Sequence, residues 1–341
     1  MRVLVTGHQG YIGAVLTRIL LNAGHQVVGV DTFYFEDCDF VPIGRQVDVI
    51  RKDIRDIRPQ ELEQFDALIH LAALSNDPLG ELSQDWTQAI NYRATVRLAK
   101  VAKEAGVGKF IFSSSCSMYG AGGNDNLVTE EAPLQPLSAY AVSKVQVEEE
   151  VARLADDHFS PVYLRNATVY GVSPMLRVDL VLNNLVGWAY TTGKVLIMSD
   201  GTPWRPLIHV QDLCNVFNAM LSAPQRLIHN QAFNVGINAE NYQVRTLAEF
   251  VEAVVPGCQI SYAGQNNPDP RSYRVDFSKL ARLLPEMKFL WNARKGAEEL
   301  YRAYRDHRLS AEDFQGRKYI RLKQLKYLLD AGRLDNELRW S

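Results

Sequence analysis

Cysteine is scarce in this chain of 341 residues, which contains only four. Cys38, Cys116, Cys214 and Cys258 are widely spaced and form no Cys-x-x-Cys pair, so neither a disulfide framework nor a zinc site is indicated. Unpaired thiols are typical of proteins in a reducing compartment, and a cytoplasmic location is therefore the simplest expectation.

Long hydrophobic runs and an excess of one charge are also missing. No apolar stretch approaches the roughly 18 residues that a membrane-spanning helix needs. A signal peptide is not expected either, because Met1 and Arg2 lead directly into the apolar residues Val3–Val5 and a glycine-rich turn. Lysine and arginine total 37 against 39 acidic residues, a net charge of −2. Neither a membrane nor a nucleic acid is thus expected as a partner.

The first half of the chain alternates short apolar runs with helical patterns. Strands are predicted at Arg2–Thr6, Gln26–Val30, Ala67–Leu71 and Lys109–Ser113. Helices are predicted at Tyr11–Ala23, Trp86–Ala105 and Tyr140–Ala155. This alternation predicts an α/β fold, in which helices cover both faces of a parallel sheet.

The pattern changes at about Gly171, which suggests a second region. We expect residues 1–170 to form the sheet domain, and residues 171–306 to form mainly a smaller lobe with some segments returning to the sheet. The stretch Gly264–Arg271 is rich in proline and asparagine and predicts a loop. Residues 307–341 are charged and amphipathic, which predicts a helical extension packed on the body, with a partner-binding helix as the alternative.

A glycine-rich turn follows the first predicted strand. Gly7, Gly10 and Gly13 allow a tight turn and a close approach of the backbone to a pyrophosphate, and the helix that follows offers free N–H groups. Asp31 comes directly after the second strand, where a carboxylate binds the adenosine ribose hydroxyls and repels a 2′-phosphate. Together these residues predict a dinucleotide site that prefers NAD to NADP.

A tyrosine and a lysine share one face of a predicted helix. Tyr140 and Lys144 are four residues apart, so their side chains are neighbours. A free tyrosine has a pKa of about 10, too high for a base at neutral pH, but a nearby ammonium lowers it. The serines Ser113–Ser115 end an earlier strand and offer a hydroxyl that can bind a substrate oxygen. The set predicts an acid–base site beside a nicotinamide.

These and further motifs resemble the extended short-chain dehydrogenase/reductase family, in its nucleotide-sugar epimerase/dehydratase branch. The motifs occur in family order: GHQGYIG at Gly7–Gly13, HLAA at His70–Ala73, NYRAT at Asn91–Thr95, SSSCSMYG at Ser113–Gly120, YAVSK at Tyr140–Lys144, LRNATVYG at Leu164–Gly171, RPLIHVQD at Arg205–Asp212 and DPRSYRVDFSK at Asp269–Lys279. The resemblance spans residues 1–300 or so, and the tail after His307 lies outside it.

The resemblance implies a Rossmann-type doubly wound sheet with a smaller C-terminal substrate-binding lobe, NAD as cofactor, a nucleotide-diphosphate sugar as substrate, and a homodimer. It implies Tyr140 as the catalytic base, Lys144 as its partner and Ser115 as the catalytic serine. Cofactor contacts are expected at Gly7, Gly10, Tyr11, Ile12, Gly13, Asp31, Asp53, Ile54, Leu71, Ala72, Ala73, Tyr140 and Lys144. Substrate contacts are expected at Ser115, Asn183, Arg205 and Arg271, and no metal ligands are expected.

The residues after Ser115 distinguish the reactions of this branch. The 4,6-dehydratases carry an Asp-Glu pair there, and decarboxylases use a glutamate, whereas this chain has Cys116 and Ser117. The 3,5-epimerases carry a cysteine two residues after the serine. Cys116 is one residue after it, so we expect this thiol to pack rather than react. Thr168 replaces the usual substrate-contacting asparagine and leaves the identity of the sugar open.

A reaction of the 4-epimerase type is therefore expected, through a transient keto-sugar to which the hydride returns. Reduction of a nucleotide-linked keto-sugar is the main alternative. A dehydrogenase of a non-sugar alcohol is a third possibility, against which Asp31 argues, since such enzymes often use NADP. A nucleotide-binding regulator without activity is a fourth, against which the presence of both Tyr140 and Lys144 argues.

Overall fold

The computed structural model describes residues 1–42, 47–75, 83–120, 127–262 and 271–341. The strands are β1 (Arg2–Thr6), β2 (Gln26–Asp31), β3 (Asp48–Arg51), β4 (Ala67–His70), β5 (Lys109–Ser115), β6 (Leu127–Val128), β7 (Ser160–Asn166), β8 (Thr168–Tyr170), β9 (Lys194–Ile197), β10 (Trp204–His209), β11 (Gln231–Val235), β12 (Asn241–Gln243), β13 (Gln259–Tyr262) and β14 (Arg274–Val275). Seven of them form a sheet in the order β11-β7-β5-β4-β1-β2-β3. All neighbours in this sheet run parallel.

Helices lie between most of these strands. They are α1 (Gly13–Asn22), α2 (Gln84–Thr87), α3 (Thr95–Glu104), α4 (Ala139–Ala152), α5 (Val181–Thr192), α6 (Val210–Ser222), α7 (Gln225–Ile228), α8 (Val244–Val254), α9 (Ser278–Leu283), α10 (Ala293–Asp306), α11 (Ala311–Gln315) and α12 (Arg321–Asp330). The strand order reverses between β1 and β4, as in a doubly wound fold. The predicted α/β, Rossmann-type class is thereby confirmed.

The central strands are apolar because helices cover both of their faces. Val3, Leu4 and Val5 of β1 are all buried, and so are the four residues of β4. The edge strand β3 differs, since Asp48 and Val49 are exposed there. A polar, short strand is what an open sheet edge requires.

All three predicted helices differ from the observed ones in their bounds or continuity, and the one expected at Tyr140–Ala155 is α4, which ends at Ala152. The first was expected at Tyr11–Ala23, but the observed helix begins at Gly13. The glycine turn continues through Ile12, which is the N-cap residue of the helix. The stretch expected as one helix at Trp86–Ala105 consists of α2, a π-helical segment at Gln88–Ala94, and α3. Wider π-helical turns are often found at functional sites.

Segments after residue 171 contribute to the sheet as well as to a second apolar cluster. β11 pairs with β7 at the edge of the sheet, and α6 packs on α1. A separate cluster includes Leu185, Val195, Leu247 and Leu300, from α5, β9, α8 and α10. The chain thus interleaves two regions, and the boundary near residue 171 stays a prediction. Of the predicted loop Gly264–Arg271, all but Arg271 lie outside the described residues.

The C-terminal residues 307–341 pack on the body of the protein. They contain α11 and α12, and Leu325, Leu328, Leu334 and Leu338 are buried in the same cluster as Tyr34. The extension is therefore part of the folded body and not an isolated helix. Within the described residues, no helix has both the length and the apolar character needed to cross a bilayer.

Candidate active site

A cavity of about 780 Å³ lies at the carboxyl ends of the central strands. Its walls include the glycine turn after β1, the residues after β2 and β4, the end of β5, and parts of α4 and α5. The carboxyl edge of a doubly wound sheet, where the strand order reverses, is the usual ligand site of this fold. The cavity therefore lies where the sequence motifs predict cofactor and substrate.

The glycine turn leaves no room for a side chain at Gly7 or Gly13. Gly7 has a φ of +71°, and a Cβ there would lie 2.8 Å from the backbone nitrogen of Ala72. A Cβ at Gly13 would lie 2.3 Å from the carbonyl oxygen of Gly7. The turn thus packs against the backbone after β4 while α1 points its N-terminus at the cavity, as pyrophosphate binding requires.

Asp31 ends β2 and is held in one orientation by the backbone. Its Oδ2 accepts a hydrogen bond from the N–H of Gln9 at 3.0 Å, and its Oδ1 accepts one from the N–H of Phe33 at 2.9 Å. The carboxylate lines the cavity, where its remaining lone pairs can accept ribose hydroxyls. The next turn places Asp53 and Ile54 in the cavity wall, and both oxygens of Asp53 bind the guanidinium of Arg55.

The loop after β4 forms the floor of the cofactor region, with Leu71, Ala72 and Ala73 in the wall. The side-chain amide of Asn91 holds this loop, since it accepts from Leu74 N–H at 2.8 Å and donates to Leu74 C=O at 2.9 Å. The π-helical segment that carries Asn91 therefore fixes the position of the loop.

Tyr140 and Lys144 meet at the first turn of α4. The Lys144 ammonium lies 5.4 Å from the centre of the Tyr140 ring and donates to the carbonyl of Ser113 at 2.7 Å. Burial lowers the pKa of Lys144 to about 7, although the Glu148 carboxylate opposes this shift. A positive charge at this distance favours the tyrosinate form of Tyr140, and both side chains line the cavity.

The three serines of β5 have different partners. The hydroxyl of Ser114 donates to Glu148 at 2.6 Å, and that of Ser113 accepts from Asn166 at 2.9 Å. The hydroxyl of Ser115 accepts from the N–H of Ser117 at 3.1 Å, so its own hydrogen is available for a substrate oxygen. Ser115 is thus the serine best placed to act with Tyr140.

Cys116 faces the core, as predicted. Its thiol is buried, contacts the carbonyl oxygen of Arg165 at 3.1 Å and belongs to the main apolar cluster. Burial raises the pKa of this thiol far above its ordinary value. An uncharged, enclosed thiol packs and does not serve as an acid or base at neutral pH.

Besides Ser115, which lines the cavity, three residues were predicted to contact the sugar nucleotide, and two of these three line the cavity as well. These two are Arg205 on β10, whose guanidinium donates to the carbonyls of Trp204 and Arg271, and Arg271 itself. Asn183 does not line the cavity. It is fully buried, its Oδ1 accepts from Gly171 N–H at 3.0 Å, and its Nδ2 donates to Arg177 C=O at 2.9 Å.

Asn184, one residue further along α5, lines the cavity instead. One residue turns a helix by about 100°, so neighbouring asparagines face different surroundings. The prediction at Asn183 is corrected accordingly, because a side chain whose amide holds backbone groups in the core has no access to a substrate.

The family model for the NAD dependent epimerase/dehydratase family matches residues 3–236. The chain belongs to this family. A UDP-glucose 4-epimerase of Corynebacterium glutamicum is 28% identical over 272 residues, which are 74% of this chain and 80% of that enzyme. UDP-glucose 4-epimerase 4 of Oryza sativa subsp. japonica is 30% identical over 337 residues, 88% of each chain. The solved structure of MoeE5 in complex with UDP-glucose and NAD is 28% identical, with a TM-score of 0.75 over 90% of this chain and 99% of that one.

The family match confirms the predicted relationship and NAD as the cofactor of this enzyme. The residues of the cavity wall fit NAD. The turn has no room for a side chain at Gly7 or Gly13, and α1 directs its N-terminus at the cavity. Asp31 offers a carboxylate held by two backbone N–H groups, the type of group that binds the ribose hydroxyls of NAD in this fold.

Sequence reasoning missed an ion pair in the cavity wall of this family member. The guanidinium of Arg177 binds both oxygens of Asp179, at 3.0 Å and 2.8 Å, and donates to Ser75 Oγ at 2.9 Å. Burial raises the pKa of Asp179, but the Arg177 charge outweighs it and holds the carboxylate ionised. No strand or helix pattern pointed to this pair, because Arg177 and Asp179 lie in a stretch that is neither helix nor strand.

Proposed function

We propose that the enzyme is a nucleotide-sugar 4-epimerase and that UDP-hexoses are its substrates. The observation that supports this most directly is the set of carboxylates around the cavity. Among the described lining residues these are Asp31, Asp53 and Asp179. The first two lie at the adenosine end, and the third is paired with Arg177. No described carboxylate is placed to remove a second proton for elimination, as a dehydratase requires.

One proton passes from the sugar hydroxyl to Tyr140 and later returns to the sugar. Tyr140 accepts the proton of the sugar hydroxyl, helped by the Lys144 charge, and Ser115 donates a hydrogen bond to the same oxygen. NAD, held by the glycine turn and Asp31, would supply a reversible hydride acceptor for both half-reactions. Tyr140 then gives its proton back to the oxygen of the turned sugar. The same three side chains serve both half-reactions, which is why no further acid or base is needed.

The nucleotide half of the substrate is proposed to lie against the later segments of the chain. Arg205 and Arg271 line that side of the cavity, and guanidinium groups bind diphosphate oxygens through two donors at once. UDP is proposed as the nucleotide because the relatives compared above are UDP-glucose 4-epimerases, and because MoeE5 was solved with UDP-glucose.

The test is turnover without added cofactor. Purified enzyme is incubated with UDP-, dTDP-, GDP- and CDP-hexoses, and the 4-epimers are measured by NMR. We expect conversion of a UDP-hexose without added NAD, because an epimerase regenerates its cofactor in each cycle. Strict dependence on added NADH, with a 4-keto sugar as the sole substrate, would establish the reductase instead. Turnover of a free alcohol but of no nucleotide sugar would contradict the substrate class.

The homodimer and the cytoplasmic location complete the proposal. The homodimer is what the family resemblance implies, and light scattering of the purified protein at micromolar concentration tests it. The four cysteines are all free and buried, which supports the expectation of a reducing compartment.

A further inference from the structure

The C-terminal segment, residues 307–341, is bonded to the loop that follows β2. The indole N–H of Trp340 donates to Thr32 C=O at 2.6 Å, and the amide of Gln324 donates to Tyr34 C=O at 3.1 Å. In the reverse direction, the hydroxyl of Tyr34 donates to the carbonyl oxygen of Leu338. Thr32 and Tyr34 both line the cavity beside Asp31. The segment therefore supports the wall where the adenosine of NAD is expected.

The same segment also reaches the turn after β3 and the start of α2. Arg55, which holds Asp53, donates to the carbonyl of Glu337 at 2.7 Å, and Arg339 forms an ion pair with Asp56. The indole N–H of Trp86 donates to the carbonyl of Asn336 at 2.7 Å. The loop after β2, the turn after β3 and the start of α2 are thus connected through residues that the family match to 3–236 does not include.

One side chain of the segment, Arg321, forms part of the cavity wall itself. It is the first residue of α12, only 3% of its surface is exposed, and its guanidinium stacks 4.3 Å above the ring of Phe35. Nη2 donates to the carbonyl of Met175 at 2.9 Å. Nη1 is buried and has no hydrogen-bond partner within the described part of the chain.

A buried guanidinium with an unused donor is costly unless an anion accompanies it. Burial, and then the positive charge of Arg177, lower the pKa of Arg321 to about 10, so the group is still charged at neutral pH. The negative charges of Asp179 and Asp31 oppose this lowering of the pKa. Arg321, Asp31 and Tyr140 all line the same cavity. A dinucleotide that extends from Asp31 to Tyr140 carries its diphosphate between these two ends, and a guanidinium in the cavity wall is the type of group that pairs with it.

We propose that the C-terminal segment is an integral part of the NAD site and that Arg321 donates a charged hydrogen bond to the NAD diphosphate. The segment then covers the adenosine region and slows the release of NAD. The inference rests on NAD binding and not on the 4-epimerase proposal. It stands whichever sugar reaction the enzyme catalyses.

The test compares Arg321→Gln with Lys326→Gln, which removes one positive charge from the exposed side of the same helix. Calorimetry on nucleotide-free protein measures the Kd of NAD, ADP, UDP and adenosine. We expect Arg321→Gln to raise the Kd of NAD and of ADP by about 10- to 100-fold, the usual effect of losing a charged hydrogen bond. The Kd of adenosine and of UDP should change by less than about twofold. Lys326→Gln should leave the Kd of all four ligands unchanged.

Arg321→Lys keeps the charge but not the planar pair of donors, and we expect it to lose NAD affinity to an intermediate degree. It also serves as the test if Arg321→Gln does not fold, as judged by thermal unfolding without nucleotide. Unchanged NAD and ADP affinity in a folded variant would overturn the proposal. Equal losses for adenosine and ADP would show a merely structural role, and a loss for UDP alone would assign Arg321 to the substrate's diphosphate. Both outcomes contradict it.

Discussion

At the scale of single residues, the proposed chemistry depends on a lysine that the fold keeps out of water. Burial lowers the pKa of Lys144 to about 7, so its charged and neutral forms are close in free energy in the nucleotide-free protein. A neighbouring negative charge shifts this balance. A tyrosinate at Tyr140 is such a charge, and it favours the ammonium form of Lys144.

Replacing the tyrosine separates chemistry from binding. Tyr140→Phe removes the proton acceptor and leaves the ring and the Lys144 charge in place. We expect turnover to fall by about 10²- to 10⁴-fold, the usual range for loss of a general acid–base group, with the Kd of NAD nearly unchanged. Steady-state kinetics and calorimetry measure the two quantities. Tyr262→Phe, at an exposed position of β13, is the matched control. Near-normal turnover of Tyr140→Phe would rule out this site.

The site residues that were predictable belong to short sequence motifs. Gly7, Gly13 and Asp31 all lie within one strand–turn–helix–strand unit, where spacing along the chain determines their positions. Arg177 and Arg321 were not predictable in the same way. They reach the cavity because stretches distant in sequence pack together, and no local pattern encodes that approach.

At the scale of elements, the π-helical segment Gln88–Ala94 determines the shape of the cofactor floor. Asn91→Ala would leave the N–H and C=O of Leu74 without their partners. We expect a loss of about 1–3 kcal/mol in the free energy of unfolding, the cost of unsatisfied buried groups, together with weaker NAD binding because the loop after β4 is released. Denaturant titration and calorimetry measure both effects.

Gln88→Ala is the control for that change. Gln88 lies in the same segment, but its amide bonds the side chain of Gln146 at 3.1 Å and not the loop. Its removal should alter the free energy of unfolding by less than about 1 kcal/mol and leave NAD binding unchanged. Equal effects of the two variants on NAD binding would show that Asn91 does not position the loop.

Long elements were predicted well and short ones were not. The apolar runs of β1, β4 and β5 and the helical pattern of α4 extend over enough residues to show their period. β6 and β14 have two residues each, and pairing between distant segments defines them. The division of one predicted helix into α2, a π-helical segment and α3 also depends on tertiary contacts, here those of Asn91.

At the scale of the whole molecule, the buried lysine predicts a pH dependence of stability. The pKa of Lys144 falls from 10.5 to about 7 on folding. Between these values the unfolded chain binds more protons than the folded one, so this residue makes the free energy of unfolding rise with pH across that window. Below pH 7 both states are protonated and the cost of burying the charge is fully present.

In Lys144→Met, this contribution to the rise of the free energy of unfolding between pH 7 and pH 10 should be absent. In nucleotide-free protein, the variant should be more stable than the wild type at pH 7, and the difference should shrink as the pH approaches 10. Chemical denaturation at several pH values measures it. Lys100→Met, at an exposed position of α3, should follow the wild-type curve. Parallel curves for the wild type and Lys144→Met would contradict the assigned pKa.

The attachment of the C-terminal segment also has a consequence for the time course of folding. The hydrogen bond between Leu338 and Tyr34 spans 304 positions of the sequence, and the one between Trp340 and Thr32 spans 308. Contacts so distant in sequence form only after a long loop has closed, which makes them slow relative to the pairing of β1 with β2. A refolding chain should therefore regain its circular dichroism before it can bind NAD. In that interval the sheet is nearly complete, but the cleft that the C-terminal segment covers is still open to chaperones.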